Sequence, residues 1–185
     1  TSLNGGNGAT GSAGDRWDLR QGSAGRIGFR GSEDLGGGLS AGFLFEHRFT
    51  PDNGAAATPF WQARSYVELI SKTAGGIYLG REYIPAFWPA LRLDPFAFDT
   101  VGTLGPKHQF AQYTIDGGIR SNNTLGYKTP NLRGFTANLA YSFGEQARPS
   151  SRGANVEYTA GAIYLGAAFD RLPRRELDDH RGRLL

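Results

Sequence analysis

The chain has 185 residues, 39% of them hydrophobic, with 28 glycines, no cysteine and no methionine. It has no unbroken apolar stretch of the roughly twenty residues that a membrane-spanning helix needs, and without cysteine it has no disulfide framework and no thiolate metal site. Its 20 basic and 17 acidic residues leave a formal charge of +3; five arginines and three acids fall in residues 171–185, so the rest of the chain carries 15 against 14, a balance that argues against a nucleic-acid partner.

Residues 1–24 are rich in Gly, Ser, Asn and Thr and read as an exposed loop. Within them Gly6-Asn7-Gly8-Ala9-Thr10-Gly11 matches GxGxxG, but no strand precedes it and no helix follows, so the dinucleotide reading fails its context. From residue 25 the period is two. Ile27 and Phe29 face away from Arg26 and Arg30. In 39–49, Leu39, Ala41, Phe43, Phe45, His47 and Phe49 share one face, against Ser40, Gly42, Glu46 and Arg48, with Leu44 the exception. In 60–71, Trp61, Ala63, Val67 and Leu69 oppose Gln62, Arg64, Tyr66 and Glu68. Further on, Phe135, Leu139, Tyr141 and Phe143 oppose Thr136, Asn138 and Ser142. Val156 and Tyr158 oppose Asn155, Glu157 and Thr159, and Ile163, Leu165 and Phe169 oppose Tyr164, Gly166 and Asp170. This is strand alternation, and helical spacing is nowhere sustained.

The connections differ in length. Those at 34–37, 72–75, 130–134 and Gly161 are tight; those at 50–58, 84–118 and 145–153 are longer. Short turns at one end and long loops at the other suit an up-and-down antiparallel barrel. A soluble sandwich also alternates. Here the polar side mixes small with charged residues, as a wet lumen needs, and the apolar side carries aromatics near strand ends: Phe49, Trp61, Tyr127, Phe135, Phe143 and Phe169. These positions suit interfacial girdles around a lipid-facing band.

The stretch Gly25–Leu39 resembles a strand–turn–strand of the general-diffusion porins of Gram-negative bacteria, closest to the β-proteobacterial type. Arg64-Ser65-Tyr66-Val67-Glu68-Leu69, Leu79-Gly80-Arg81-Glu82-Tyr83 and Arg120–Asn131, followed by Gly134-Phe135 and Ala140–Glu145, are similar to later strands of that family, in order. The resemblance covers residues 25 to about 170. It implies an all-β, antiparallel transmembrane β-barrel, with about eight of the family's sixteen strands present, a class whose lumen is an aqueous channel. The family's first strand would precede Thr1, and its terminal aromatic residue is missing. The expected reading is therefore the N-terminal half of a porin, with residues 25–170 a partial barrel, 84–118 a long in-folding loop and 171–185 an irregular charged tail.

The implied function is passive diffusion of ions and small hydrophilic solutes through a water-filled outer-membrane channel. No enzyme activity, cofactor or metal is implied. The implied partners are outer-membrane lipid and, in the full-length parent, two further copies in a homotrimer. By its place in the matched stretches, the basic wall of the constriction would be Arg26, Arg64, Arg81, Arg120 and Lys128, faced by loop acids among Asp94, Asp99 and Asp116. Arg26 and Arg64 also fall on the polar face by parity. Arg120 and Lys128 share the parity of Asn122 and Thr124, whereas Arg81 has the parity of Ile77 and Leu79. Five bases against three acids hint at a mild anion preference.

His47, His108 and His180 show no ligand spacing. His47 is expected to face lipid, and no serine partner for a hydrolase is evident. Glu33-Asp34 and Asp178-Asp179 are adjacent carboxylates in a turn and in the tail. Two alternatives stay open: a soluble or surface-exposed β-rich binding module, and an inactive truncated remnant. If Phe43, Phe45, Leu139 and Tyr141 packed against a second sheet, the channel reading would fail.

Overall fold

The computed structural model describes residues 2–4, 18–20, 25–98, 119–144 and 149–171. Asp99, Asp116, His108, His180, the rest of the long loop and the tail beyond 171 lie outside them. Eight long strands follow the chain: β3 (Gly25–Gly36), β4 (Leu39–Thr50), β6 (Arg64–Ser71), β7 (Gly75–Tyr83), β8 (Arg120–Lys128), β9 (Phe135–Ser142), β10 (Ser151–Ala160) and β11 (Ile163–Arg171). Each pairs antiparallel with the next, giving the sheet order β3-β4-β6-β7-β8-β9-β10-β11. The two-residue β5 (Ala55–Ala56) adds beside β4 as the ninth strand. Among the described residues the sheet is open, with β3 and β11 at its edges.

Residues 1–24 are not wholly loop. β1 (Ser2–Asn4) pairs antiparallel with β2 (Asp18–Arg20) as a separate two-stranded sheet. The polar, glycine-rich composition hid it, because three-residue strands are too short to show a period. The strand expected from residue 60 begins only at Arg64, since 58–63 form turns and bends. Glu33 and Asp34 belong to β3 rather than to a turn. The turn itself comes at Gly36, Gly37 and Gly38, with φ of 83°, 60° and 80°. That left-handed run is open only to glycine at low cost, and Asp34 Oδ1 accepts the Gly36 N–H at 2.8 Å.

The two faces of the sheet are inverted relative to a soluble protein. Ile27, Phe29, Val67, Leu79, Leu125, Leu139, Val156, Leu165 and Phe169 are all exposed, while Glu82, Thr124, Asn138, Ser142, Asn155 and Glu157 are buried. No second sheet covers Phe43, Leu139 or Tyr141 among the described residues. The arrangement has a plain physical reason. A basic side chain at mid-bilayer on a lipid face costs about 2–4 kcal/mol, so a one-residue register slip, which exchanges the faces, is strongly opposed.

Among the described residues parity breaks at two places: at the turn end of β3, where Leu35 is the extra residue between Asp34 and Gly36, and inside the β7–β8 ladder. Gly80 pairs with Thr124 but Glu82 pairs with Ser121, so β8 carries an extra residue against β7. Asn123 takes the left-handed conformation there, with φ 50°. This β-bulge places Arg120 opposite Tyr83 and cancels the parity it shares with Thr124.

Among the described residues one helix interrupts the all-β pattern. α1 (Phe87–Leu93) follows β7 at once, inside the stretch expected to be loop. Its seven residues give two turns, too few for helical spacing to register. Pro89 sits in the first turn, where a missing N–H costs nothing. Packing supplies what length does not: Phe87 stacks on Tyr83 at 3.8 Å, and Tyr83, Ile84 and Phe87 form a small core with Trp88, Leu91, Phe98 and Ile119.

Candidate constriction site

The site begins with Glu82, whose carboxylate is fully buried on the polar face near the end of β7. It accepts two hydrogen bonds from Arg64 on β6, Nη2 to Oε2 at 2.6 Å and Nε to Oε1 at 2.8 Å. The Tyr83 N–H donates to Oε1 at 2.7 Å. Lys128 Nζ on β8 stands 4.0 Å from Oε2. A buried carboxylate without such donors would be costly; here the donors sit in the register of three adjacent strands.

Aromatic rings hold the cations apart. The Arg64 guanidinium carbon lies 5.2 Å from the Tyr66 ring centre, 5.6 Å from Tyr83 and 5.5 Å from Trp88. Arg120 lies 4.4 Å over Tyr83 and donates to its hydroxyl at 2.7 Å. Lys128 Nζ lies 4.7 Å from the Tyr78 ring. Each contact is a cation–π attraction worth about 0.5–2 kcal/mol according to its desolvation. Tyr78 fits only because its neighbour on β8 is Gly126, where a Cβ would stand 1.9 Å from Tyr78 Cζ.

Opposite this wall lies α1. Arg92 pairs with Glu157 of β10, which also accepts from the Tyr164 hydroxyl at 2.6 Å. Partial burial works against the Arg92 charge, but the hydrogen bond and charge of Glu157 outweigh it and hold the guanidinium above its ordinary pKa. At the start of the segment, Asp170 of β11 accepts the Ala86 N–H at 2.6 Å, and Asn155 of β10 donates to the Pro85 carbonyl at 2.8 Å. The chain leaving β7 thus crosses the polar face and rests on the far strands.

The structure brings Arg64, Arg120 and Lys128 together around Glu82 and Tyr83. Arg81 stands at the bulge and donates to the Gln62 carbonyl and to Asn122 Oδ1. Arg26 is further off, exposed on the edge strand and in register with Arg48, which pairs with Glu46 at 2.9 Å. Asp94 is buried at the end of α1, where its Oδ1 accepts the Phe96 N–H at 2.9 Å. His47 lies on the outward face, as its parity requires, but is buried under Phe60, whose ring stacks on it at 3.9 Å.

Sequence reasoning missed Glu82, Tyr83, Trp88 and Arg92. Glu82 could have been found: it shares parity with Gly80 and Tyr78, and acids on a polar strand face need a cation nearby. Trp88 and Arg92 carried no signal, because their helix had no visible period.

The sequence profile of Gram-negative porins matches residues 1–180. Outer membrane porin protein 32 of Delftia acidovorans is 36% identical over 153 residues, covering 82% of this chain and 42% of that protein. An outer membrane porin of Bordetella pertussis is 32% identical over 126 residues, covering 64% and 30%. Among solved structures, an anion-selective porin from Comamonas acidovorans superposes with a TM-score of 0.71 at 32% identity, covering 83% of this chain and 49% of that one. An OmpF porin of Salmonella typhi shares the fold alone, at 16% identity and a TM-score of 0.61, covering 88% and 49%. The chain spans about half the length of the solved relatives it matches, or less. With a porin-type antiparallel sheet, an outer-membrane location and a family profile spanning nearly its whole length, this chain belongs to the Gram-negative porin family.

Proposed function

We propose that this chain supplies the basic wall and the in-folded constriction of a water-filled channel, through which ions and small hydrophilic solutes diffuse passively across the outer membrane. The observation that carries the reading is the α1 segment lying across the polar face, with Trp88 near Arg64 and Arg92 on Glu157. Such a segment narrows the passage, and charges fixed along a narrow wet passage select ions. Diffusion through it makes and breaks no covalent bond.

Arg26, Arg64, Arg81, Arg120 and Lys128 form the proposed basic wall. Asp94, Asp99 and Asp116 are its proposed loop acids. The net field favours anions mildly, as in the relative named anion-selective. Glu82 neutralises Arg64, but among the described residues no carboxylate pairs with Arg120. Outer-membrane lipid meets the exposed apolar face, and a homotrimer is the proposed assembly.

The test is single-channel recording in a planar bilayer, with the protein extracted from outer membranes. Discrete conductance steps and a reversal potential of anionic sign under a salt gradient are expected. Silence at protein levels where a known porin conducts would refute the channel, and a cationic sign would refute the selectivity.

A further inference from the structure

The start of the in-folded segment and the end of its helix α1 are both fastened to the same two strands, β10 and β11. At the start, Asp170 takes the Ala86 N–H and Asn155 takes the Pro85 carbonyl. At the end, Glu157 takes Arg92 and is backed by Tyr164. The strands are shaped for this. Opposite Asp170 stands Gly153, where any Cβ would lie 1.7 Å from the Asp170 carboxylate. At Gly166 a Cβ would lie 3.0 Å from Pro89 of α1. Asn155 is itself fixed, since its Oδ1 accepts the Asn138 N–H at 3.0 Å.

We propose that β10–β11 is a two-point latch, in which the positioning residues Asp170 and Asn155 anchor the start of the in-folded segment and set the width of the passage, while Glu157 and Tyr164 steady its helix through Arg92. The inference rests on the channel reading above. Its two points are unequal. The Asp170 point joins a half-buried carboxylate to a main-chain N–H, which has no side-chain freedom of its own. At the Glu157 point the Arg92 side chain is half exposed, and an exposed charge is screened by salt. The helix end therefore loosens first, and the hinge end decides the mean width.

The test compares Asp170→Ala, Asp170→Asn and Glu157→Gln with the wild type in the bilayer assay. Asp170→Ala leaves the Ala86 N–H without its acceptor, so conductance and the polymer exclusion limit rise, conductance by roughly 1.5-fold or more. Asparagine retains an oxygen acceptor, so Asp170→Asn restores the wild-type value. Glu157→Gln adds current flicker on the microsecond-to-millisecond scale of hinge motion and leaves the mean conductance unchanged. Wild-type conductance in Asp170→Ala would overturn the latch. So would equal shifts in Asp170→Ala and Asp170→Asn, because both remove one lumen charge and only one removes the acceptor. A destabilised barrel would give fewer channels, not wider ones.

A second readout needs no conduction. With Trp17→Phe and Trp61→Phe, Trp88 is the chain's one tryptophan, and Asp170→Ala raises its acrylamide quenching if the latch holds it in place. Increased quenching in a protein that never conducts would sink the channel reading and leave the latch standing; unchanged quenching would overturn the latch.

Discussion

Replacing Glu82 by Gln removes one negative charge from the most buried point of the basic wall and little else. Glutamine keeps the size and one acceptor oxygen, while Arg64, at 2.6 Å, and Lys128, at 4.0 Å, lose their counter-charge. Two consequences can be sized. For an anion passing about 10 Å away, one unit charge is worth about 1.7 kcal/mol at an effective dielectric of about 20 and about 0.4 kcal/mol at about 80. The anion's weight at the constriction therefore rises by between about twofold and nearly twentyfold, with the lower figure nearer in a wet lumen. Breaking a buried pair by removing one partner costs about 3–5 kcal/mol; the retained amide acceptor and the part-exposed Arg64 side chain place Glu82→Gln at or below the low end. The assay is the zero-current potential across a tenfold gradient centred near 0.1 M salt, where the Debye length is about 10 Å. The shift should be in the anionic direction and should shrink toward zero near 1 M, where that length falls to about 3 Å. An unchanged potential at low salt, or a shift toward cations, would refute the placement of Glu82 as the neutraliser of the wall.

Arg120→Ala should act oppositely, reducing anion preference with little loss of stability, because the described partner of Arg120 is the neutral Tyr83 hydroxyl; a zero-current potential equal to wild type would count against its place on the wall. Gly126→Ala should drive a methyl into the buried Tyr78 ring, costing about 1–3 kcal/mol as overpacking does, and the urea midpoint of the detergent-folded protein reads it. Tyr78→Phe is the milder neighbour: it loses only the 3.2 Å bond to Asn138, worth about 1 kcal/mol. Leu139→Lys, on the outward face, should impair insertion into vesicles by about 2–4 kcal/mol, whereas Ala140→Lys on the polar face should insert and raise anion preference; equal insertion of the two would mean that the faces are assigned wrongly.

Alternation determined most of the long strands and their faces. A period of two is written in neighbouring residues, and the bilayer rewards it one side chain at a time, so Ile27, Val67, Leu139 and Leu165 declare their face without any partner. The antiparallel order followed from the short turns. The tertiary structure decided what depends on partners distant in sequence. The bulge at Asn123 reset the parity of Arg120, because one extra residue in a ladder is invisible until two strands are aligned. Arg64 found its counter-charge eighteen residues away on the next strand rather than on the loop. The segment from Pro85 to Leu93 took its place from Asp170, Asn155 and Glu157, between 65 and 84 residues downstream. Those contacts depend on the register of four successive strand pairs and on the space left at Gly153 and Gly166, and no local pattern encodes either.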